Sequence, residues 1–233
     1  MSIALIETAA ASLGPEVLEE VAFLGAASIP LWITDEAAPP PRATRDVDVV
    51  VEVGSLLAYY ELGDRLRGRG FSEDSEAREI CAWKHRETSL RLDVMPTEAE
   101  ILGFTNRWYA DGLAAAACRT LPSGQVIRAL SPPYLLGTKL EAFNGRGRDD
   151  DGELDYLGSR DFGDIVVLVD GRAEVVDEVL ASAAPLRRYL AEEFGRLAED
   201  PRFESGVAAH LRPDVPSQAR RGLVLERIRR FTH

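Results

Sequence analysis

Apolar and polar residues take turns most clearly in Thr44-Arg45-Asp46-Val47-Asp48-Val49-Val50-Val51, before the run becomes wholly apolar. That period of two predicts a strand, in which residues i and i+2 share a face. Asp46 and Asp48 then stand side by side while valines pack the other face. Upstream, residues 5–20 carry helical spacing and lead into a short apolar strand, Val21-Ala22-Phe23-Leu24, ended by Gly25. Ala26-Ala27-Ser28 opens a second, short helical stretch before Pro30. The segment Ala37-Ala38-Pro39-Pro40-Pro41-Arg42 predicts a loop that delivers the chain to the Asp46 strand.

Downstream, residues 56–69 show a helical period and end at Gly70, a good helix stop. Ile80-Cys81-Ala82-Trp83-Lys84 and Ser89-Leu90-Arg91-Leu92-Asp93-Val94-Met95 predict a pair of strands, stopped by Pro96. Pro132-Pro133 begins a helix over 134–143, capped by Ser131. A glycine- and aspartate-rich loop follows from Gly145 to Gly158. Asp161 to Asp170 then leads into a long helical region with brief breaks. No internal repeat is visible. The pattern predicts an α/β (α+β) chain: a mixed catalytic core over 1–125, then a mainly helical region over 126–233.

The bulk composition narrows the class without naming it. The chain has 233 residues, 45% apolar and 28% charged, which suits a folded protein with a substantial core. No apolar run approaches the roughly 20 residues of a membrane span, and the N-terminal stretch lacks the pattern of a secretory signal. Cys81 and Cys118 are the only cysteines, and His85, His210 and His233 are scattered, so a zinc site is not expected. Reduced thiols and a cytoplasmic location are the expectation. The net charge of −12 runs against a basic nucleic-acid-binding surface. Only the last segment is net basic, with Arg212, Arg220, Arg221, Arg227, Arg229 and Arg230; it reads either as a local basic groove or as a solvated arginine-rich helix face.

Candidate chemistry starts from the aspartates. Two neighbouring carboxylates repel, and a cation between them relieves that cost. Mg²⁺ is a hard ion that takes carboxylate oxygens and substrate phosphates. Asp93, in the alternating Leu90-Arg91-Leu92-Asp93-Val94, would join Asp46 and Asp48 if the two strands lie side by side. Three carboxylates on one face suit a two-metal site. Gly25, at a strand-to-helix turn, would let a phosphate approach backbone N–H groups. A half-buried edge strand with structural aspartates explains the same residues without any metal.

Taken together, Gly25, Asp46-Val47-Asp48 and Asp93 resemble the signature of the DNA polymerase β-like nucleotidyltransferase superfamily. More closely, the chain resembles the AbiEii/AbiGii-type nucleotidyltransferase toxins, which include the MenT group of type IV toxin–antitoxin systems. The likeness runs from about Phe23 to Gly171. It is carried by Thr44-Arg45-Asp46-Val47-Asp48, Leu92-Asp93-Val94-Met95-Pro96-Thr97, Gly103-Phe104-Thr105-Asn106-Arg107-Trp108-Tyr109, Tyr134-Leu135-Leu136-Gly137-Thr138-Lys139-Leu140-Glu141-Ala142-Phe143 and Arg160-Asp161-Phe162-Gly163-Asp164-Ile165.

The resemblance implies a polymerase β-like mixed sheet with flanking helices and a set of roles. Asp46 and Asp48 would ligate two Mg²⁺ ions, and Asp93 would act on the metal nearest the attacking hydroxyl. Lys139 would contact the phosphates of an NTP, and Asp161 would position Lys139 or the nucleotide, with Asp164 a weaker candidate. Asp161 and Asp164 read equally as caps of the helix that follows. Superfamily members usually carry Gly-Gly or Gly-Ser at the first turn. This chain has Gly25-Ala26-Ala27-Ser28, so Ser28 stands in for the missing hydroxyl. The implied acceptor is the 3′ end of a tRNA, in a toxin with a cognate antitoxin. A small-molecule or protein acceptor, an inactive nucleotide-binding partner protein and a purely structural α/β domain are the other readings.

Overall fold

The computed structural model describes residues 2–77 and 80–232; His233 lies outside the described residues. They form two compact units. The first comprises residues 1–31 and 42–131, the second residues 32–41 and 132–233. The chain therefore passes between units after Leu31, Pro41 and Ser131.

The first unit holds α1 (Ser2–Glu20), β1 (Val21–Leu24), α2 (Gly25–Ser28), β2 (Asp46–Val51), α3 (Leu56–Gly68), β3 (Phe71–Glu73), β4 (Ala82–His85), β5 (Arg91–Pro96), α4 (Ala99–Leu102), α5 (Tyr109–Ala114), β6 (Ala117–Thr120) and β7 (Val126–Ala129). The seven strands make one mixed sheet in the order β3-β4-β5-β2-β1-β7-β6. β2 runs parallel to β5 and antiparallel to β1, and β1 runs parallel to β7. Val47, Val49, Leu92 and Val94 are almost wholly buried on one face of the central strands. Each such side chain contributes about 1.5–3 kcal/mol through burial. α1 buries Ile6, Ala9, Ala10, Leu13 and Val17, a helical stripe. It breaks at Gly14, where φ is +73 just ahead of Pro15.

Several boundaries differ from the sequence reading for local reasons. The second strand of the predicted pair begins at Arg91, because Ser89 takes a φ of +55 in the turn. Pro96 does not stop that strand but is its last residue, in register with Val51. β3, β6 and β7 escaped the pattern, being three or four residues long and defined by their partners.

The second unit holds α6 (Pro132–Arg146), α7 (Arg160–Gly171), α8 (Val175–Ala181), α9 (Ala184–Ala198), α10 (Phe203–His210), α11 (Val215–Ala219) and α12 (Arg221–Phe231). α6 runs on to Arg146, past the glycine expected to open the loop. α7 is capped by Ser159, whose hydroxyl accepts from the Phe162 N–H, so the cap is this serine and neither Asp161 nor Asp164. Ten of its residues are buried, which makes α7 the helix around which the unit packs. Phe143 and Tyr156 lie 5.1 and 5.2 Å from the Phe162 ring. Among the described residues, no helix is long and apolar enough to cross a membrane.

Candidate active site

The alternation in β2 turns Val47 and Val49 into the core and leaves Asp46 and Asp48 half-buried on the other face. β5 alternates in the same way, with Leu92 and Val94 buried and Arg91 and Asp93 half-buried. The parallel register places Asp48 opposite Asp93 and Asp46 opposite Arg91. Like charges directly opposite in a ladder destabilise it, so Asp48 and Asp93 form a patch that favours a cation. The Thr44 hydroxyl donates to Asp46 Oδ1. Arg91 Nε lies 3.5 Å from Asp93 Oδ1.

Gly25 holds this face in shape. Its φ is +71, and an ideal Cβ built on it falls 1.8 Å from Asp48 Oδ2. The space that the missing side chain leaves is filled by the Asp48 carboxylate, a second demand for glycine beside the expected approach of a phosphate to the turn. Ser28 is fully buried, and its hydroxyl donates to the Gly25 carbonyl at 2.9 Å. Ser28, expected to meet a nucleotide, has its hydroxyl engaged in bracing the turn. Ala26 is buried too.

The donor chemistry of this face suits Mg²⁺ in one particular way. Among the described residues, no three His, Cys, Asp or Glu side chains converge as a ready-made metal cage. Mg²⁺ ordinarily uses one or two carboxylates and completes its shell with water and substrate phosphates. A carboxylate pair at Asp48 and Asp93, with Asp46 one step along the face, is such a partial set.

Lys139 and Asp161 meet in the second unit. Lys139 Nζ lies 2.9 Å from Asp161 Oδ1 and 2.8 Å from Asp164 Oδ2. Its side chain is only 12% exposed, and Asp164's only 3%. Burial works against the ammonium, but Asp164 and Asp161 outweigh it and hold the lysine pKa above its ordinary value. Burial likewise opposes ionisation of Asp161, yet Lys139 and Arg146 hold its carboxyl below the usual range. Arg146 forks onto Asp161, with Nε at 2.9 Å from Oδ2 and Nη2 at 3.2 Å from Oδ1.

Sequence reasoning missed Arg91 and Arg146 and underrated Asp164. The signals were present. Arg91 and Asp93 are two apart on one strand, and Lys139 and Arg146 are seven apart on one helix, which is a shared face in each case. Two of the late arginines prove structural. Arg220 is 2.7 Å from both Asp35 and Asp170. Arg227 donates to the Val169 and Asp170 carbonyls at the end of α7.

No family model matches the chain, and no curated protein sequence matches it. Among solved structures it is similar to JHP933 from Helicobacter pylori, at 9% sequence identity and a TM-score of 0.44, over 98% of this chain and 89% of that one.

Proposed function

We propose that the chain is a Mg²⁺-dependent nucleotidyltransferase that moves a nucleotide from an NTP to a hydroxyl acceptor. The observation that carries this reading is the register of Asp48 opposite Asp93, with Asp46 on the same face. Asp46, Asp48 and Asp93 would hold the metal, which supplies charge neutralisation at the phosphates and lowers the pKa of the attacking hydroxyl. Asp93 accepts the proton of that hydroxyl. By the family resemblance Lys139, a compact point charge, would contact a triphosphate, and Asp161 and Asp164 hold it in place. The acceptor implied by the family resemblance is the 3′ end of a tRNA, in a toxin neutralised by a cognate antitoxin. A body of net charge −12 suits a smaller acceptor equally well.

The test is transfer itself. The full chain is incubated with Mg²⁺, each labelled NTP in turn, and total tRNA or a panel of small hydroxyl compounds. Label passes to an acceptor and pyrophosphate is released. Asp48→Asn lowers transfer at least about 100-fold while leaving the melting temperature unchanged or higher, because it removes one of two facing carboxylates. No label on any acceptor with any NTP sinks the proposal.

One observation favours a second reading. The turn at Gly25 has its hydroxyl buried and its open side filled by Asp48, so it offers less to a triphosphate than the usual turn of such enzymes. A nucleotide-binding partner protein without turnover would tolerate that loss. Calorimetry with NTP and Mg²⁺ that finds binding, beside an absence of transfer, selects this reading.

A further inference from the structure

Arg91 is the residue of the carboxylate face that nucleotidyl transfer leaves without a task. It shares β5 and a face with Asp93, stands opposite Asp46, and brings Nε to 3.5 Å from Asp93 Oδ1. The four side chains make a two-by-two patch: Asp46 beside Arg91 in one row, Asp48 beside Asp93 in the next. On the far side of Arg91, β4 places Lys84 in register with it, and Lys84 is exposed. Like charges opposite one another are unfavourable, so the guanidinium gains by leaning toward the carboxylates.

A guanidinium is always charged, and it takes the same oxygens that a divalent ion takes. Mg²⁺ binds carboxylate oxygen at about 2.0–2.1 Å, so ion and guanidinium compete for Asp93. The exposures show which side chain has room to leave. Arg91 is 35% exposed against 14% for Asp93, so the guanidinium is the nearer of the two to solvent although its Nε is buried.

We propose that Arg91 is a resident counter-cation of this site: it neutralises the carboxylate face in the absence of a divalent ion and must leave Asp93 for one to bind. It thereby sets the divalent-ion concentration at which the site fills. The inference rests on the metal reading of Asp46, Asp48 and Asp93. Arg91 is a positioning residue here.

Titration of the full chain with Mn²⁺, followed by calorimetry and by the loss of free-ion paramagnetic signal, needs no turnover. The set comprises the unsubstituted chain, Arg91→Gln, Arg91→Met, Arg91→Lys and Asp48→Asn, each checked by thermal melting in chelator. Arg91→Gln and Arg91→Met bind Mn²⁺ about tenfold more tightly, the repulsion of a unit charge and a divalent ion about 6 Å apart in water. Arg91→Lys stays nearer the unsubstituted chain, and added salt narrows the gap, as a Coulombic effect must. Equal or weaker binding by Arg91→Gln and Arg91→Met, with binding still lost in Asp48→Asn, overturns the inference and leaves the metal reading standing. Absence of Mn²⁺ binding in every protein overturns both.

Discussion

Asp48 and Gly25 occupy one volume between them: Asp48 Oδ2 lies 1.8 Å from where a Cβ on residue 25 would be. The pairing of Leu24 with Asp48 across β1 and β2 brings the two together. A backbone φ of +71 at Gly25 is the second constraint on that residue.

Gly25→Ala is therefore expected to act twice. The left-handed backbone alone costs about 1–2 kcal/mol with a Cβ, and the methyl group displaces the Asp48 carboxylate. Thermal melting shows a drop of several degrees. Mn²⁺ binding is lost at temperatures where the variant is still folded. A variant with normal metal binding would separate the glycine from the site.

Lys139→Met removes the ammonium from between Asp161 and Asp164. Breaking a buried pair costs about 3–5 kcal/mol, and the side chains are buried enough here for that range to apply. Asp161 keeps Arg146, so Asp164 carries most of the loss. Adding Asp164→Asn to Lys139→Met restores part of the stability in chemical denaturation, because the coupled pair is not additive. Nucleotidyl transfer is not restored with it. Asp161 gives the pH sign: its carboxyl sits below the ordinary 3.8, so its contribution is present above that value and fades as pH falls through the lowered one.

His210 makes a prediction of the same sign, nearer neutrality. Its Nε2 meets the Tyr156 carbonyl at 3.0 Å, its ring lies against Phe162, and a Cβ on Gly163 would fall 2.7 Å from Nδ1. Burial holds its pKa below the ordinary 6.5, although the Tyr156 carbonyl, Asp155 and Asp164 pull the other way. The unfolded chain thus binds the proton more readily, and stability is full above that value and falls with pH below it. Melting temperatures from about pH 7.5 to about pH 5 show this loss, and His210→Gln, which keeps a donor for Tyr156, flattens it.

Arg220→Ala is expected to loosen the segment 32–41. Arg220 joins Asp35 to Asp170, while the Thr34 and Asp35 N–H groups donate to the Gly171 carbonyl at 2.9 and 3.0 Å. Asp170 is 1% exposed, and burial already pushes its carboxyl above the usual range. Loss of its cation costs about 3 kcal/mol. Cleavage after the exposed Glu36 by a glutamate-specific protease becomes several-fold faster.

The placement of the carboxylates was more legible in the sequence than the frame that holds them. Alternation in β2 and β5 placed Asp46, Asp48 and Asp93 on faces, and adjacency of the two strands needed only one further step. That same alternation put Arg91 among them. Asp161 was legible through the Arg160-to-Ile165 motif. Arg146 lay beyond the expected end of its helix at 143, so its reach to Asp161 was hidden. The burial of Ser28 had no signal, because residue type shows a hydroxyl but not its surroundings. The attachment of residues 32–41 to the helical unit had no local signal at all: it runs through the Gly171 carbonyl and Arg220, both distant in sequence.

That attachment has a consequence for the order in which the molecule comes into being. Asp35 and Arg220 are separated by 185 positions. At about 5–20 residues per second on the ribosome, roughly 10–40 s pass between the synthesis of one and of the other. Throughout that interval the lead into Asp46 has no Arg220 to hold it. Strands β1 and β2 can pair early, but the Asp35–Arg220 tie on the segment between them belongs to the closing stage of translation.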